Sequence, residues 1–480
     1  MLTLKDLFIT GKKKEKWQTD LMRRTEAAKY LDFYNNEQYL HTIDHLQGIY
    51  PNTIDQLKRY AKVEYVTSKM LDIMSLMFQG DPAIEVEGLS EAQMQSLNDL
   101  IDRTGLISKL DTVQKLNNNY LTVAVFPKWD DKRKETYLEI ITPDDMVVLQ
   151  DPDRPTHIEA VLVNYGIVEN DPFKADAINK YLYISDTEWV EVEVDEKTGT
   201  MNRKQEKPNP YKRIPLVFFT LHPPLRTFWG EKKNDIVDAN LTINEYATNI
   251  AVMIHYQSFS TLVRTGESGW LSEHPIKFGP QFSLDLGVDP LAGENRADAK
   301  YITPDAKIEQ VEKVMNNKII ALASSHGISA NAYRSDNTQA RSGYSIRLDR
   351  SDLINRNIQQ QSHYYRPMQQ LIQMLMATEQ ISESGARYGD IDSIYKSKVN
   401  IKFADITIDE DPVILVEIRS KQIANGTKSA IDFIKEDNPE LTDDEARQKY
   451  EENMAIKQGQ TPADDTELDR IIQGDTNAGI

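Results

Sequence analysis

The sequence has 480 residues, no cysteine, and 75 acidic against 56 basic side chains, which gives a formal net charge of −19. The lack of cysteine excludes disulfides, thiolate metal sites and cysteine nucleophiles, and no run of about 18 apolar residues is present that could span a membrane. The acidic balance excludes a protein built to hold DNA tightly. Two interpretations stay open: a nucleic acid is a partner that must not adhere to the protein, or the charge only keeps the protein soluble.

The N-terminal hundred residues are predicted to be mainly helical. In 1–20 the lysines follow a short apolar patch, the reverse of a secretory signal, so we expect a cytoplasmic start. Apolar residues from 54 to 77 form one broad helical stripe within a helical region 18–80. A Gly-Asp-Pro breaker at 80–82 ends it, and a short helix over 90–103 has Ser90 as its N-cap candidate.

The region from 119 to 220 is predicted to form strands. Short β-branched and aromatic runs alternate there with turn residues. The segment 195–199, Asp-Glu-Lys-Thr-Gly, is typical of a hairpin tip. Prolines at 208, 210 and 215 favour an extended connector followed by an edge strand.

A long helix is predicted over 232–263, because six residues, five of them apolar, recur there with alternating spacings of four and three. This 3.5-residue seam is typical of a helix packed against similar neighbours, although a core helix of a globular domain would also show it. The seam comprises Ile236, Asn240, Ile243, Ala247, Ile250 and Ile254.

The segment 266–304 is rich in Gly and Pro and is predicted to be a compact, β-containing excursion. Helices are predicted to follow at 305–325 and 340–379, the second with a kink or break at Pro367. Between them, residues 326–350 hold four arginines against two aspartates in a polar, glycine-containing stretch. An acidic protein thus carries a basic break between two helices.

The last hundred residues are predicted to hold one strand, "VNIKFADITI", and then helices. Thr442 and Glu445 have capping-box spacing at the start of the last helix. The acidic tail from about 458 is predicted to be mobile. We find no internal repeat.

Motifs for catalysis are missing from the sequence. There is no phosphate-binding loop, dinucleotide fingerprint or nucleophile elbow. His41 and His45 are four apart, but no third ligand is suggested, so no metal site is predicted. Structural roles in turns and at a helix start are favoured for three acidic pairs, although Mg²⁺ binding or acid–base work would be possible: Asp130-Asp131, Asp144-Asp145 and Asp443-Asp444. An enzyme is therefore the minority interpretation, and no cofactor is predicted.

The order of the elements, with the wording of four stretches, resembles a portal protein of a tailed bacteriophage of the siphophage type. The similarity covers nearly the whole chain, and it is carried most by 235–254, 319–329 and 343–372. The four stretches are "NPYKRIPLVFF", "DIVDANLTINEYATNIAVMI", "IIALASSHGIS" and "DLINRNIQQQSHYYRPMQQLIQMLM".

The resemblance implies an α+β subunit with a mixed wing, a two-helix stem, a small β-containing clip and a helical crown. The implied parts are an N-terminal arm 1–19, wing 20–231, stem helices 232–265 and 305–325, clip 266–304, tunnel loop 326–342, a long kinked helix returning to the wing 343–405, crown 406–457 and tail 458–480.

The resemblance also implies partners and a location. Identical subunits, typically twelve, would form a ring at one capsid vertex, and double-stranded DNA would pass through it during packaging and ejection. The implied protein partners are the terminase large subunit, a head-tail connector protein, the major capsid protein and a scaffold protein. Assembly in the bacterial host cytoplasm and a final place in the virion follow, without a membrane partner.

Candidate contact residues follow from the residues placed within this framework. In the tunnel loop, Arg334 and Arg341 are predicted to approach DNA phosphates, with Asn331, Asn337 and Gln339 adding contacts that carry no sequence information. Pairing of these arginines with acidic residues of the neighbouring subunit is the alternative.

The remaining candidates concern the loop ends and the subunit contacts. Gly327 and Gly343 are predicted to act as flexible loop ends. The clip is predicted to meet subunits or partners through Trp270, Ile276, Lys277, Phe278 and Phe282, although these could instead form the core of a small module. The stem is predicted to meet the next subunit through Ile236, Ile243, Ala247, Ile250 and Ile254.

Two other functions stay open at this point. A Mg²⁺-dependent hydrolase would need the carboxylates of 130–153 to converge on one site. A capsid assembly or adaptor protein would lack a tunnel. A ring with a central hole, a small compact particle or a rod would distinguish the three classes in electron micrographs.

Overall fold

The computed structural model describes most of the chain. The described residues are 11–151, 153–154, 157–164, 179–195, 200–221, 228–229, 234–257, 261–265, 298–302, 307–329, 343–382, 387–406, 412–438 and 441–459. They belong to two compact units. The first comprises Met1–Thr338 and Asp349–Ile406, and the second comprises Gln339–Leu348 and Thr407–Ile480.

Helices and strands both contribute to the fold, which confirms the α+β class. The helices are α1 Gly11–Tyr34, α2 Tyr39–Ile49, α3 Ile54–Leu57, α4 Val66–Met74, α5 Glu91–Thr104, α6 Leu106–Tyr120, α7 Asp235–Gln257, α8 Ile308–Ser325, α9 Gly343–Ser382, α10 Ile391–Lys396, α11 Pro412–Ala424, α12 Ala430–Asp437 and α13 Asp443–Gly459. None of the helices that the structure describes is long and apolar enough to cross a membrane.

Twelve described strands form four antiparallel sheets. The sheet orders are β1-β12, β10-β11, β3-β2-β9 and β4-β5-β6-β7-β8. The strands are β1 Ala83–Val86, β2 Thr122–Asp130, β3 Glu135–Ile141, β4 Met146–Gln150, β5 Ile158–Asn164, β6 Asn179–Ser185, β7 Glu188–Asp195, β8 Thr200–Pro208, β9 Val217–Thr220, β10 Thr261–Thr265, β11 Asp298–Ile302 and β12 Val399–Lys402.

The strand-rich region predicted over 119–220 is confirmed. Its five-stranded sheet is a meander, and alternating side chains enter two different apolar clusters, as the pleat requires. Tyr181 and Tyr183 of β6 pack in one cluster, whereas Leu182 and Ile184 pack in the other. Asp195 pairs with Thr200 across the predicted hairpin. The edge positions are also confirmed, because β8 and β9 are both outermost strands.

The largest core forms around the C-terminal half of α9. Residues spaced three or four apart on this helix are buried there against α5, α6, β2 and β9. The short helix predicted over 90–103 is confirmed as α5. Ser90 caps it by a reciprocal pair of hydrogen bonds with Gln93, which is a capping box. A kink or a break was predicted at Pro367. Helix α9 continues through Pro367, so there is no break, and the kink stays a prediction.

The continuous helical stripe predicted over 54–77 is wrong. The helix ends at Leu57, and the chain is not helical over 61–65 before α4 begins at Val66. Side chains of α7 bind the backbone of this break: the Asn244 Oδ1 accepts from the Glu64 amide at 2.8 Å, and the Asn240 Nδ2 donates to the Glu64 carbonyl at 2.7 Å. These bonds replace helical ones and hold the segment extended.

The first stem helix is shorter than predicted, because α7 ends at Gln257 and residues 261–265 form β10. The segment Thr261–Thr265 holds three β-branched residues in alternation, which favours a strand. It pairs with β11, which lies within the segment 266–304 predicted to contain strands. Helix α8 confirms the prediction over 305–325, and α7 and α8 pack together through Ile243, Met315 and Ile319.

The second unit contains α11, α12 and α13, as the predicted helical C-terminus requires. The capping box at Thr442 is confirmed, since its hydroxyl accepts from the Glu445 amide while the Glu445 carboxylate accepts from the Thr442 amide. The guanidinium of Arg419 forms a bidentate pair with Asp437 at 2.6 and 2.7 Å. The strand predicted in "VNIKFADITI" is β12, which belongs to the first unit and pairs with β1.

Candidate functional site

The point where the predicted tunnel loop leaves α8 is a fixed turn. Gly327 has a φ of +77°, a left-handed conformation that glycine adopts without strain. Its amide donates to the Ser324 carbonyl at 3.1 Å, and the Ile328 amide donates to the Ala323 carbonyl at 2.9 Å. These two bonds are a Schellman motif, and the Ile328 side chain is buried against the same apolar cluster as Ala323. The helix end is therefore well defined up to Ile328.

His326 connects this turn to two other helices. Its Nε2 lies 3.2 Å from Oδ2 of Asp235, in the first turn of α7. The Nη1 of Arg356, on α9, lies 3.0 Å from His326 Nδ1 and 3.0 Å from the His326 carbonyl oxygen. Because a guanidinium can only donate, Nδ1 must be the acceptor and Nε2 must carry the proton donated to Asp235. The three side chains, here called the junction triad, hold α7, α8 and α9 together.

The junction triad lies at a pocket of about 220 Å³. Burial lowers the pKa of Arg356, and the nearby Asp235 carboxylate partly offsets that effect. Most of the other lining residues carry a carboxamide, a phenol or an imidazole, and two are leucines. These residues are Tyr30, Asn118, Asn119, Tyr120, Leu121, Leu221, Asn234, Gln359, Gln360 and His363. The pocket is thus polar, and its cationic side chain, Arg356, is hydrogen-bonded to His326.

A row of polar residues on α7 forms a second conspicuous feature. Asn240, Asn244 and Thr248 are spaced four apart and are fully buried. Their side-chain oxygens accept from the amides of Thr67, Glu64 and Lys62, at 3.0, 2.8 and 3.0 Å respectively. The amide group of Asn240 also donates to the Glu64 carbonyl. This row, called the α7 polar row below, binds an extended segment along the helix.

The predicted stem seam lies mostly inside one subunit. Ile236 and Ile243 are buried in a cluster with α4 and α8, and Ala247 is also buried. Ile250 is partly buried, and Ile254 is 49% exposed. Contact with a neighbouring subunit stays a prediction for this seam, and of these residues Ile254 has the most surface left for it.

Most of the other predicted contact residues cannot be placed. The loop residues Arg334, Asn331, Asn337, Gln339 and Arg341 lie outside the described residues, as do the clip residues Trp270, Ile276, Lys277, Phe278 and Phe282. Gly343 is the first residue of α9, and Gly327 ends α8. The hinge roles of both glycines stay predictions.

The three acidic pairs lie in turns and at a helix start, as predicted. Asp130 accepts hydrogen bonds from the amides of Lys132 and Arg133, which lower the pKa of Asp130. Asp144 and Asp145 lie in a single 3₁₀ turn, whose neighbouring carbonyls of Pro143 and Met146 accept from Arg23. Asp443 and Asp444 lie in the first turn of α13.

The described part of the chain holds no group of three or more His, Asp or Glu side chains that could hold a metal ion. Partial burial, followed by the Asp144 charge, raises the pKa of Asp145 to about 6. His41 binds Asp32 at 2.6 Å, whereas His45 lies 3.4 Å from Glu245. The two histidines therefore have different partners and do not form a shared metal site.

The sequence reasoning missed both the junction triad and the α7 polar row. The triad joins residues 91 and 30 positions apart in the chain, which no local pattern connects. The row had a signal, because an Asn-x-x-x-Asn-x-x-x-Thr spacing puts three polar groups on one face of an otherwise apolar helix. Asn240 was instead counted as part of an apolar seam.

Comparison with known proteins gives one extensive match. The family model for phage portal proteins of the SPP1 Gp6-like type matches residues 14–411. Two similar solved chains come from the virion of a native gene transfer agent particle and from the neck of an empty gene transfer agent particle. Both are 11% identical to this chain, cover 79% of it and are themselves covered to 91%, with TM-scores of 0.39 and 0.42. A search of curated proteins found no match.

Proposed function

Because the chain belongs to the SPP1 Gp6-like family of phage portal proteins, we propose that it forms a ring through which double-stranded DNA enters and leaves a capsid. Portal proteins are structural rather than enzymatic components of the particle. The observation that carries the proposal is the family match, which spans the strand-rich region, both helices of the α7–α8 pair and α9.

The α7–α8 pair is proposed to be the stem. The two helices pack side by side. Strand β10 follows α7, strand β11 precedes α8, and the two strands pair with each other. The segment between these two strands therefore starts and ends at one place, as expected for a clip that projects from the stem. The wing and the crown are proposed for the remaining parts of the first unit and for the helical second unit.

The loop after Ile328 is proposed to narrow the channel. Its first end is fixed by the Schellman motif and the junction triad, so each copy would start its loop from the same defined position. Arg334 and Arg341 are proposed to approach DNA phosphates. Such contacts carry no sequence information, which suits a channel that must pass any sequence.

The proposed protein partners follow from the proposed role of the ring in DNA packaging and ejection at a capsid vertex. A terminase large subunit would dock during packaging, and head-tail connector proteins would replace it afterwards. The major capsid protein and a scaffold protein would surround the ring at one vertex. The ring would be assembled in the bacterial host cytoplasm and retained in the virion.

Imaging of the purified full-length protein tests the proposal. We expect negative-stain electron micrographs under capsid-assembly conditions to show rings with a central channel wide enough for duplex DNA. Symmetry averaging of these rings would give the number of subunits, for which twelve is expected. Monomers, compact particles or rods without a channel under the same conditions would contradict the proposal.

A further inference from the structure

The helix α9 has an exposed face that its own subunit does not cover. Its opposite face is buried through Leu353, Tyr364 and Met368. On the exposed face Ile358 and Tyr365, seven residues apart, keep 51% and 38% of their surface accessible. These are two large apolar side chains on one helix face, two turns apart, and the polar Gln361 and Ser362 lie on the turn between them. Covering Ile358 and Tyr365 would remove apolar surface from water.

The same stretch has an unusual charge for this protein. The chain holds 75 acidic residues in 480, yet positions 353–378 contain no carboxylate at all, where about four would be expected at that frequency. Arg366 lies beside Tyr365, is exposed, and has no ion-pair partner among the described residues. The exposed face of α9 is therefore apolar and basic in an acidic chain.

A face of opposite charge lies on α2. Leu40 is 71% exposed and Tyr39 is 47% exposed, so the start of α2 presents two large apolar side chains to the surface. Asp44 follows Leu40 by one turn, is exposed and likewise has no ion-pair partner among the described residues. The buried side of α2 is Thr42, Ile43 and Leu46, so Leu40 and Asp44 point away from the core.

We propose that α9 of one subunit packs against α2 of the next subunit in the ring. Ile358 and Tyr365 would cover Leu40 and Tyr39, and Arg366 would pair with Asp44. Different surfaces meet in such a heterologous contact, which closes into a ring when the rotation fits. The contact would use about 12 Å of α9, from 358 to 366, and about 8 Å of α2, from 39 to 44, and the charges of the two sets are opposite. The inference rests on the proposed ring and adds residues to it.

Charge reversal tests the pairing. With Arg366→Glu the face would meet Asp44 with a like charge, and we expect the protein concentration at which half the chains form rings to rise at least tenfold. The double variant Asp44→Arg with Arg366→Glu exchanges the two charges, so an attractive pair is restored, and it should recover most of the assembly. Analytical ultracentrifugation and electron micrographs give both readouts.

Lys109→Glu is the matched control, because Lys109 is exposed on α6, has no ion-pair partner among the described residues, and changes the net charge by the same amount. It should assemble like the natural chain. A second variant, Ile358→Ser, tests the apolar part without a charge change. Because Ile358 is half exposed, its loss should weaken rings while leaving the melting temperature of the dissociated chain unchanged.

The outcomes separate this inference from the proposed function. If the natural chain forms no rings, the proposed function fails. If the natural chain forms rings and Arg366→Glu forms them at the same concentration, the α9–α2 contact is wrong while the portal ring stands. Assembly that is lost in Arg366→Glu but not recovered in the double variant would show that Asp44 is not the partner.

Discussion

At the scale of single residues, the α7 polar row shows how side chains can do the work of a backbone. Asn240, Asn244 and Thr248 each accept a hydrogen bond from a main-chain amide of the segment 62–67. Buried amides need partners, and a missing one costs about 1–3 kcal/mol. The row satisfies three of them at once, so the break between α3 and α4 is stable although it is not helical.

Loss of Asn240 is expected to be costly. In Asn240→Ala the Thr67 amide and hydroxyl and the Glu64 carbonyl all lose a partner. We expect a loss of about 2–4 kcal/mol in unfolding free energy, seen as a lower melting temperature. Hydrogen exchange at the Thr67 amide should become faster.

Two further variants make the Asn240 prediction specific. Thr248→Val keeps the side-chain volume and removes one acceptor, so faster exchange should be confined to the Lys62 amide. Asn316→Ala removes an exposed amide from α8 and should change neither quantity. Equal exchange at Thr67 in Asn240→Ala and the natural chain would mean that the row does not hold the segment.

At the scale of elements, most of the fold could be predicted from the sequence where one pattern applied locally. The strands between 119 and 220 alternate, and α5 has its cap, so both were predicted. The break at 61–65 could not be, because the asparagines that cause it lie about 180 residues away. Helix α6 was not predicted either, although Leu106, Leu110 and Val113 have helical spacing. Its last turn holds the run Asn117–Asn119, whose side chains are buried in hydrogen-bonded pairs.

The C-terminal end of α8 is an element whose stability depends on one glycine. A Cβ at Gly327 would meet the Asp352 backbone at an ordinary 3.4 Å, so the expected cost of Gly327→Ala comes from its φ of +77°. We expect a loss of about 1–2 kcal/mol in unfolding free energy. Thermal unfolding of the full chain measures it.

Gly48→Ala is the matched control for the α8 end. Gly48 lies within α2, and a Cβ there would meet no atom within 4 Å. Alanine is the better helix former, so this change should raise the unfolding free energy by about 0.5–1 kcal/mol. Opposite signs for the two glycines are therefore expected. A stabilising Gly327→Ala would contradict the left-handed cap.

At the scale of the whole molecule, the negative charge acquires a purpose in the proposed ring. Twelve chains of −19 would carry about 228 formal negative charges around DNA, which itself carries one charge per about 1.7 Å. In that proposed ring, repulsion screened over about 8 Å at physiological salt would keep the duplex from adhering to the wall. A few arginines at a narrow point can then touch the backbone without stalling it.

Removing the loop arginines tests this balance. In Arg334→Ala with Arg341→Ala, the constriction would lose its cations, and we expect less DNA to be packaged and retained per capsid. The control Lys109→Ala with Lys396→Ala removes two exposed cations elsewhere and changes the net charge equally. DNA per purified capsid is the measurement. Normal packaging and retention in the loop variant would remove the proposed contact with DNA.

The candidate site was predictable in part. The basic, polar break after α8 could be recognised because composition and position are local properties of the sequence. The groups that fix its base could not, since Asp235, His326 and Arg356 come from three helices that only the fold brings together. The exposure of Ile358 and Tyr365 on α9 also could not be predicted, because the sequence pattern of this helix does not say which of its apolar side chains are buried.

The junction triad has a mechanical consequence. Arg356 holds both the carbonyl and the imidazole of His326, so we expect a force applied to the start of the loop to be passed to α9 before α8 unwinds. Helix α9 also begins at the other end of the same loop. In the proposed ring, a duplex that pushes the loop aside at its first attachment would therefore load α9 of the same subunit, and the inferred contact would carry that load to the adjacent copy.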